Sequence, residues 1–249
     1  LGTSDMTPEE LKSEFYRLAC TFYVSPGNER TYVVLSGLNE NMPAAVQLFE
    51  KLLADAQVNK EAYTNMTSDI LKARSDAKLN QGQNFSRLMS FAMYGPKSPA
   101  TNLLTEAELT NMNPQELVDR IHNQNSYKHR ILYYGPSSSK DLLATINQYH
   151  QVPAALKDIP AGNEYSYLET PVTKVLVAPY DAKQIYMAQI SNLDKKYDPA
   201  IEPIRALYDE YFGGGMNSIV FQEMRETRGL AYSAWASIMP PSYLKYPYV

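Results

Sequence analysis

Tyr211-Phe212-Gly213-Gly214-Gly215-Met216-Asn217-Ser218-Ile219-Val220-Phe221-Gln222-Glu223-Met224-Arg225-Glu226-Thr227-Arg228-Gly229-Leu230-Ala231-Tyr232-Ser233 is the stretch that decides how this chain is read. Three glycines in a row allow a sharp backbone reversal, at a cost in conformational entropy that an ordinary loop avoids. Beyond them Met216, Ile219, Val220 and Met224 recur at helical spacing, and Glu223, Arg225, Glu226 and Arg228 supply a charged face. Gly229 stands where a helix C-terminal cap is expected. The stretch therefore reads as the end of one helix, a glycine turn, a second helix and then a strand.

The rest of the chain bounds the problem more loosely. Its 249 residues, 44% of them hydrophobic, can build one large domain or two small ones around a real core. The net charge of -4 is mild and the 23 basic residues are scattered, which argues against nucleic acid or an anionic membrane as the main partner. No run of roughly 18 apolar residues is present, so no membrane-spanning helix is expected. The single cysteine, Cys20, has no internal partner. It fits a reducing compartment without excluding an oxidising one, so cytoplasm and periplasm both stay open. Twenty tyrosines against seven phenylalanines point to half-buried surfaces with the hydroxyl kept wet. The chain begins Leu1-Gly2-Thr3 with no signal peptide and ends at Tyr248-Val249 inside an expected strand hairpin. Both ends read as cut, so a piece of a longer polypeptide is expected.

Local signals place the elements. Pro8-Glu9-Glu10 opens a helix to about Leu18, with Thr7 as N-cap and Glu10 as its capping-box partner. Residues 21–25 and 31–36 read as strands joined by Pro26-Gly27-Asn28. Helices are expected over 41–56, 59–79, 85–94, 113–122 and 140–149, and a buried strand over 130–135. Pro153, Pro160 and Pro171 mark residues 151–171 as a linker. Residues 174–178 and 184–190 alternate as strands, and 199–212 form the helix that enters the glycines. A faint repeat at an offset of about 211 positions lays Leu1-Gly2-Thr3 on Phe212-Gly213-Gly214.

The glycine stretch closely resembles the non-catalytic half of the pitrilysin, or M16, zinc peptidases, the family of insulin-degrading enzyme and mitochondrial processing peptidase. There a G-G-G-M-x-S-x-x-F-Q-E-x-R-E-x-R-G-L-A-Y-S run is a hallmark, matched here over about twenty consecutive positions. The resemblance implies an α+β fold of M16 peptidase-like (LuxS- or processing-peptidase-like) α/β domains, with a mixed sheet packed against helices. It also makes sense of the repeat. Residues 1–150 become the later part of one metal-free domain, and 172–249 the opening part of the next. In four-domain members these would be domains three and four.

The same resemblance frames the metal. The family's zinc sits on an inverted H-x-x-E-H helix with a distal glutamate, the glutamate between the histidines activating water. A short F-x-G-T segment follows the motif in active members, and Leu1-Gly2-Thr3 fits that place. The equivalent helix here, Ile204 to Tyr211, has no histidine. Around the distal position only Asp69 and Asp76 occur. His122, His129 and His150 are spaced 7 and 21 apart, with no metal-binding pattern, and read as helix-end or strand-edge residues. No cofactor is expected in this chain, and zinc is expected in the parent protein.

In the family's two-part site, an arginine and a tyrosine seven apart come from a metal-free domain facing the zinc. Those positions map to Arg225 and Tyr232. Arg225 would grip a substrate carbonyl or carboxylate, and Tyr232 would donate to the developing oxyanion. The bland alternative pairs Arg225 with Glu226 and leaves Tyr232 filling a strand position. At the repeat positions Glu14 and Thr21 stand instead, so only the second copy keeps the pair. Gly213, Gly214 and Gly215 are candidates for anion or substrate binding at a helix start, although no nucleotide-loop lysine follows. Gln222 and Glu223 read as helix-orienting, and Ser218 lacks a histidine nearby in sequence. The chain is thus read as the substrate-binding half of an M16-like zinc peptidase, partnered by a zinc-bearing domain in the same or another chain and by a peptide substrate. The competing readings are a structural or assembly subunit of M16 descent and a generic interaction domain. Complementary part-domains are also expected to pack as a permuted unit or to swap between chains.

Overall fold

The computed structural model describes residues 1–27 and 30–241. In its first compact unit, Leu1–Arg74 with Leu104–Asn163, the chain is organised by helix α1 (Pro8–Arg17). Thr7 Oγ1 accepts from the Glu10 amide at 3.2 Å, and Glu10 Oε2 accepts from the Thr7 amide at 2.8 Å. This reciprocal box satisfies two amides that a bare helix start would leave unpaired. The helix buries Leu11 and Phe15 and reverses through Ala19, at φ 49, into a hairpin. Strands β1 (Cys20–Pro26) and β2 (Thr31–Gly37) pair antiparallel in the register Cys20↔Gly37 to Pro26↔Thr31. Gly37 is required there, since a Cβ would lie 2.2 Å from Cys20 Sγ. Of the expected Pro26-Gly27-Asn28 turn, Asn28 lies outside the described residues; the Gly27 amide donates to the Arg30 carbonyl at 2.8 Å.

Helix α2 (Met42–Asp55) lays Ala45, Leu48 and Leu52 against α1 and the hairpin. The Phe22 ring sits between Phe15 and Phe49, with centroids at 4.9 and 5.4 Å. Helix α3 (Lys60–Lys78) begins in this unit and ends in the other. Helix α5 (Glu106–Asn111) starts at a second capping box, Thr105 with Glu108. Helix α6 (Pro114–His122) adds Val118 to the core, and α7 (Ser139–Tyr149) is capped by Ser138.

The second unit comprises Ser75–Leu103 and the chain from Glu164 onward. Helix α4 (Gln81–Tyr94) is closed by Gly95 at φ 73. Long segments without regular secondary structure follow, fixed by scattered contacts. The Leu168 amide donates to Met93 O at 2.7 Å, Gln81 Nε2 donates to Gln184 O at 2.7 Å, and Phe85 packs on Tyr186 at 5.5 Å. Helix α8 (Glu202–Asp209) continues into a π-helical turn over Glu210–Gly214. Helix α9 (Ile219–Phe221) likewise continues into a π-helical turn over Gln222–Thr227.

The α+β class expected from the sequence holds. Among the described residues the sheet is the β1–β2 pair, and Tyr127 and Lys157 form an isolated parallel bridge. The strands expected at 130–135, 174–178 and 184–190 run without regular secondary structure or a ladder. A strand exists only beside a neighbour that takes its amides and carbonyls. Among the described residues these segments have none, and Leu132, Tyr134, Val175 and Ile185 are exposed. Helix α5 was not expected, although Thr105-Glu106-Ala107-Glu108 carried its start signal. The hairpin expected around Tyr248-Val249 lies outside the described residues. Among the described residues no helix is long and apolar enough to cross a membrane.

The N-terminal segment is tied to α2 through Asp55. Its Oδ2 accepts from the Ser4 amide at 2.9 Å and from the Ser4 hydroxyl, while Gln57 Nε2 donates to Oδ1 at 2.9 Å. The Ser4 hydrogen bonds hold the Asp55 carboxyl below its usual value. A depressed folded value means stability present above the unfolded value of about 3.9 and lost as pH falls through the folded one. An NMR titration of the Asp55 carboxyl is expected to show a midpoint below that value, rising towards it in Ser4→Ala. A midpoint unmoved by Ser4→Ala would contradict the assignment.

Candidate functional site

The glycine turn is built by backbone contacts that leave no room for a Cβ at Gly213 and Gly214. Gly213 is buried, and a Cβ there would lie 2.1 Å from Ala236 O and 2.3 Å from Ala236 N. Backbone thus meets backbone, which only glycine permits. A Cβ on Gly214 would lie 2.9 Å from Asp209 O, and one on Gly215 3.1 Å from Glu210 Oε1. The same backbone run is held from α8. Arg205 contacts Glu202 Oε2 at 3.0 Å, Asp209 Oδ2 at 2.6 Å and Ile238 O at 3.0 Å, while Asp209 Oδ1 accepts from the Ile238 amide at 2.8 Å. Sequence reading missed this clamp because its target, a main-chain segment near Ile238, has no signature in residue type.

Ser218 begins α9. It is buried, and its hydroxyl accepts from the Phe221 amide at 3.4 Å. That is the work of an N-cap. Gln222 Nε2 donates back to Met216 O at 2.6 Å, which pins the turn before the helix. At the other end Gly229, at φ 60, donates to Arg225 O at 3.1 Å, and the Leu230 amide donates to Met224 O at 2.8 Å. The wider π-turn and the left-handed glycine send the chain back along the helix.

Tyr232 is carried by that return. The Arg225 Cζ stands 4.7 Å from the Tyr232 ring centroid and 4.8 Å from that of Phe221. Arg225 Nε lies 3.4 Å from Glu226 Oε1, and Arg228 Nη2 lies 3.4 Å from Glu223 Oε2. The structure therefore brings Arg225 and Tyr232 together, and it also contains the Arg225–Glu226 pairing weighed as the alternative. Tyr232 stands at a bend rather than on the expected strand, and the residue is 85% exposed. Phe221 was not singled out in the sequence, although its place four residues before Arg225 puts both on one helical face.

The histidines are accounted for by hydrogen bonds. His122 Nε2 lies 3.0 Å from Ala56 O. His129 Nδ1 lies 2.7 Å from Tyr127 O, and its Nε2 lies 2.8 Å from His150 Nε2. His150 Nδ1 lies 2.7 Å from Glu50 Oε1, and Asn125 Nδ2 donates to Glu50 Oε2 at 2.8 Å. Spacings of 7 and 21 in sequence gave no sign of this chain. Because the two nitrogens of His150 face different partners, the three side chains do not converge on a common point. Among the described residues no group of three or more His, Cys, Asp or Glu is placed to hold a metal ion.

No protein-family model and no curated protein matches the sequence. Solved structures do match the fold. A protease from Helicobacter pylori superposes with a TM-score of 0.63 at 12% identity, over 99% of this chain and 59% of that one. The peptidase M16 inactive domain from Pseudomonas fluorescens gives 0.62 at 17% identity, over 96% and 58%. A point mutant of the ferredoxin protease FusC, in complex with Arabidopsis ferredoxin, gives 0.52 at 12% identity, over 67% and 18%. The chain has the fold of M16 peptidase domains. It spans under three fifths of the first two matched chains and under a fifth of the third.

Gly213→Ala is expected to lower stability by about 1–3 kcal/mol, the usual cost of forcing atoms into packed structure, measured by chemical denaturation. Gly82→Ala, with its nearest neighbour at 3.4 Å, serves as the tolerant control. Equal effects at the two positions would contradict the packing described.

Proposed function

We propose that this chain is the metal-free, substrate-binding half of an M16-like zinc metallopeptidase. Residues 1–150 are the later part of one such domain, 151–171 a linker, and 172–249 the opening part of the next. The observation that carries the reading is the convergence of Arg225 and Tyr232 within one short segment, 4.7 Å from guanidinium carbon to ring centre. The fold shared with an M16 inactive domain supports it.

Arg225 binds a carbonyl or carboxylate oxygen of the peptide through its N–H groups. The exposed Tyr232 hydroxyl donates a hydrogen bond to the oxyanion that develops at the scissile carbonyl. Gly214 and Gly215 offer backbone to the peptide beside them, and the buried Gly213 sets the turn. Zinc, held by a domain in the same or a partner chain, supplies Lewis-acid and water-activating chemistry. FusC is in complex with ferredoxin in its structure; for this chain the partner is an unfolded peptide segment.

The second reading, a structural or assembly subunit of M16 descent, draws on the Arg225–Glu226 contact at 3.4 Å, since an arginine kept only for structure needs no further ligand. Zinc content and peptide hydrolysis of the full-length protein separate the two. Arg225→Ala and Tyr232→Phe are each expected to lower turnover by on the order of 10²-fold with zinc retained. Tyr232→Phe keeps the ring on Arg225 and removes only the hydroxyl. Mutants that cleave like wild type, or a full-length protein without zinc, would decide for the structural subunit.

A further inference from the structure

We infer that Phe221 is a positioning residue that fixes the Arg225 guanidinium for substrate. This rests on the functional reading above and adds to it a residue whose side chain has no polar chemistry of its own.

The guanidinium carbon stands 4.8 Å from the Phe221 centroid and 4.7 Å from the Tyr232 centroid, both within the range of cation–π attraction. Phe221 is half-buried and sits at the end of α9, directly before the π-turn. Its main chain is thereby anchored by the Ser218 cap. Tyr232, by contrast, lies at an exposed bend outside regular secondary structure. Of the two rings, Phe221 is the one fixed by regular structure, so it sets where the arginine points and Tyr232 follows.

The chemistry left to Arg225 follows from this. A guanidinium offers five N–H donors in its plane. Nε is engaged by Glu226 at a long 3.4 Å. Among the described residues the two terminal nitrogens make no hydrogen bond. A ring-held arginine with its terminal N–H groups open suits an acceptor with two coplanar oxygens, or two successive carbonyls of an extended peptide. A Lys at this position could not be held the same way, because its ammonium lacks the planar fork.

The test replaces Phe221 by phenylalanine carrying one, two and three ring fluorines. The ring keeps nearly its shape while its face progressively loses negative charge, so a merely space-filling role would not respond. Two quantities are read. In this chain the Arg225 Nε–Hε resonance is expected to move stepwise with fluorination. In the zinc-loaded full-length protein, kcat/KM on fluorescein-labelled casein is expected to fall stepwise, mainly through KM, by roughly 2- to 5-fold in total, the scale of one exposed cation–π contact. Phe221→Leu should match the trifluoro variant, and Phe221→Trp, which keeps an aromatic face, should retain wild-type activity. In an Arg225→Ala background the series should be flat. A flat series beside an intact Arg225→Ala defect would overturn the positioning role and leave the functional reading standing. Wild-type cleavage by Arg225→Ala would overturn the functional reading and this inference with it.

Discussion

How the helix carrying Arg225 ends is the constraint on which the site depends. A regular α-helical close would place the returning chain one residue earlier. Here Gln222–Thr227 widen into a π-turn, and Gly229 adopts φ 60 to close it, with bonds from its own amide and the next to the carbonyls of Arg225 and Met224. A residue with a Cβ would be strained at that φ. The chain that emerges lays Tyr232 on Arg225 three residues later. Upstream the same logic operates at Gly213, whose missing Cβ lets the turn lie on the backbone of Ala236. Two glycines, each needed for a different reason, thus frame the segment that holds the candidate site.

The faint repeat in the sequence acquires physical content from the caps. Thr7 and Ser218 stand 211 positions apart, and each accepts a hydrogen bond from an amide three residues on. Ala19 and Gly229, one position off the same offset, are both left-handed residues that end their helices. The first copy runs as a regular helix over Pro8–Arg17 into a paired strand. The second takes the π-turn and runs into unpaired chain. The chemistry diverges along with the geometry, since Glu14 and Thr21 occupy the places of Arg225 and Tyr232.

Much of the helical structure was legible because local rules govern it. Thr7 with Glu10, Asn113 before Pro114, and Gly95 each acted where capping chemistry places them. Strands were legible only where both partners lie close in sequence, as in the β1–β2 hairpin. The alternation at 174–178 and 184–190 marks chain suited to a sheet, but a ladder depends on a neighbour that local pattern does not specify. At the candidate site the hallmark segment pointed to Arg225 and Tyr232, two side chains that the fold brings within 4.7 Å. Phe221, the Arg205–Asp209 clamp on Ile238 and the Glu50–His150–His129 chain were not legible, because each rests on where backbone or a distant side chain arrives after folding.

The central claim is that the Tyr232 hydroxyl meets bound peptide in a zinc-loaded enzyme while the ring lies on Arg225. The most direct measurement places a photo-crosslinking benzoyl-phenylalanine at position 232 of the full-length, zinc-loaded protein. It is irradiated with fluorescein-labelled casein, and the adduct is located by mass spectrometry. The same group at position 16, an equally exposed tyrosine on α1, gives the background. Casein adducts at 232 well above those at 16 are the expected result. Equal capture at the two positions, or none at 232, would contradict the claim and leave the segment as inherited architecture.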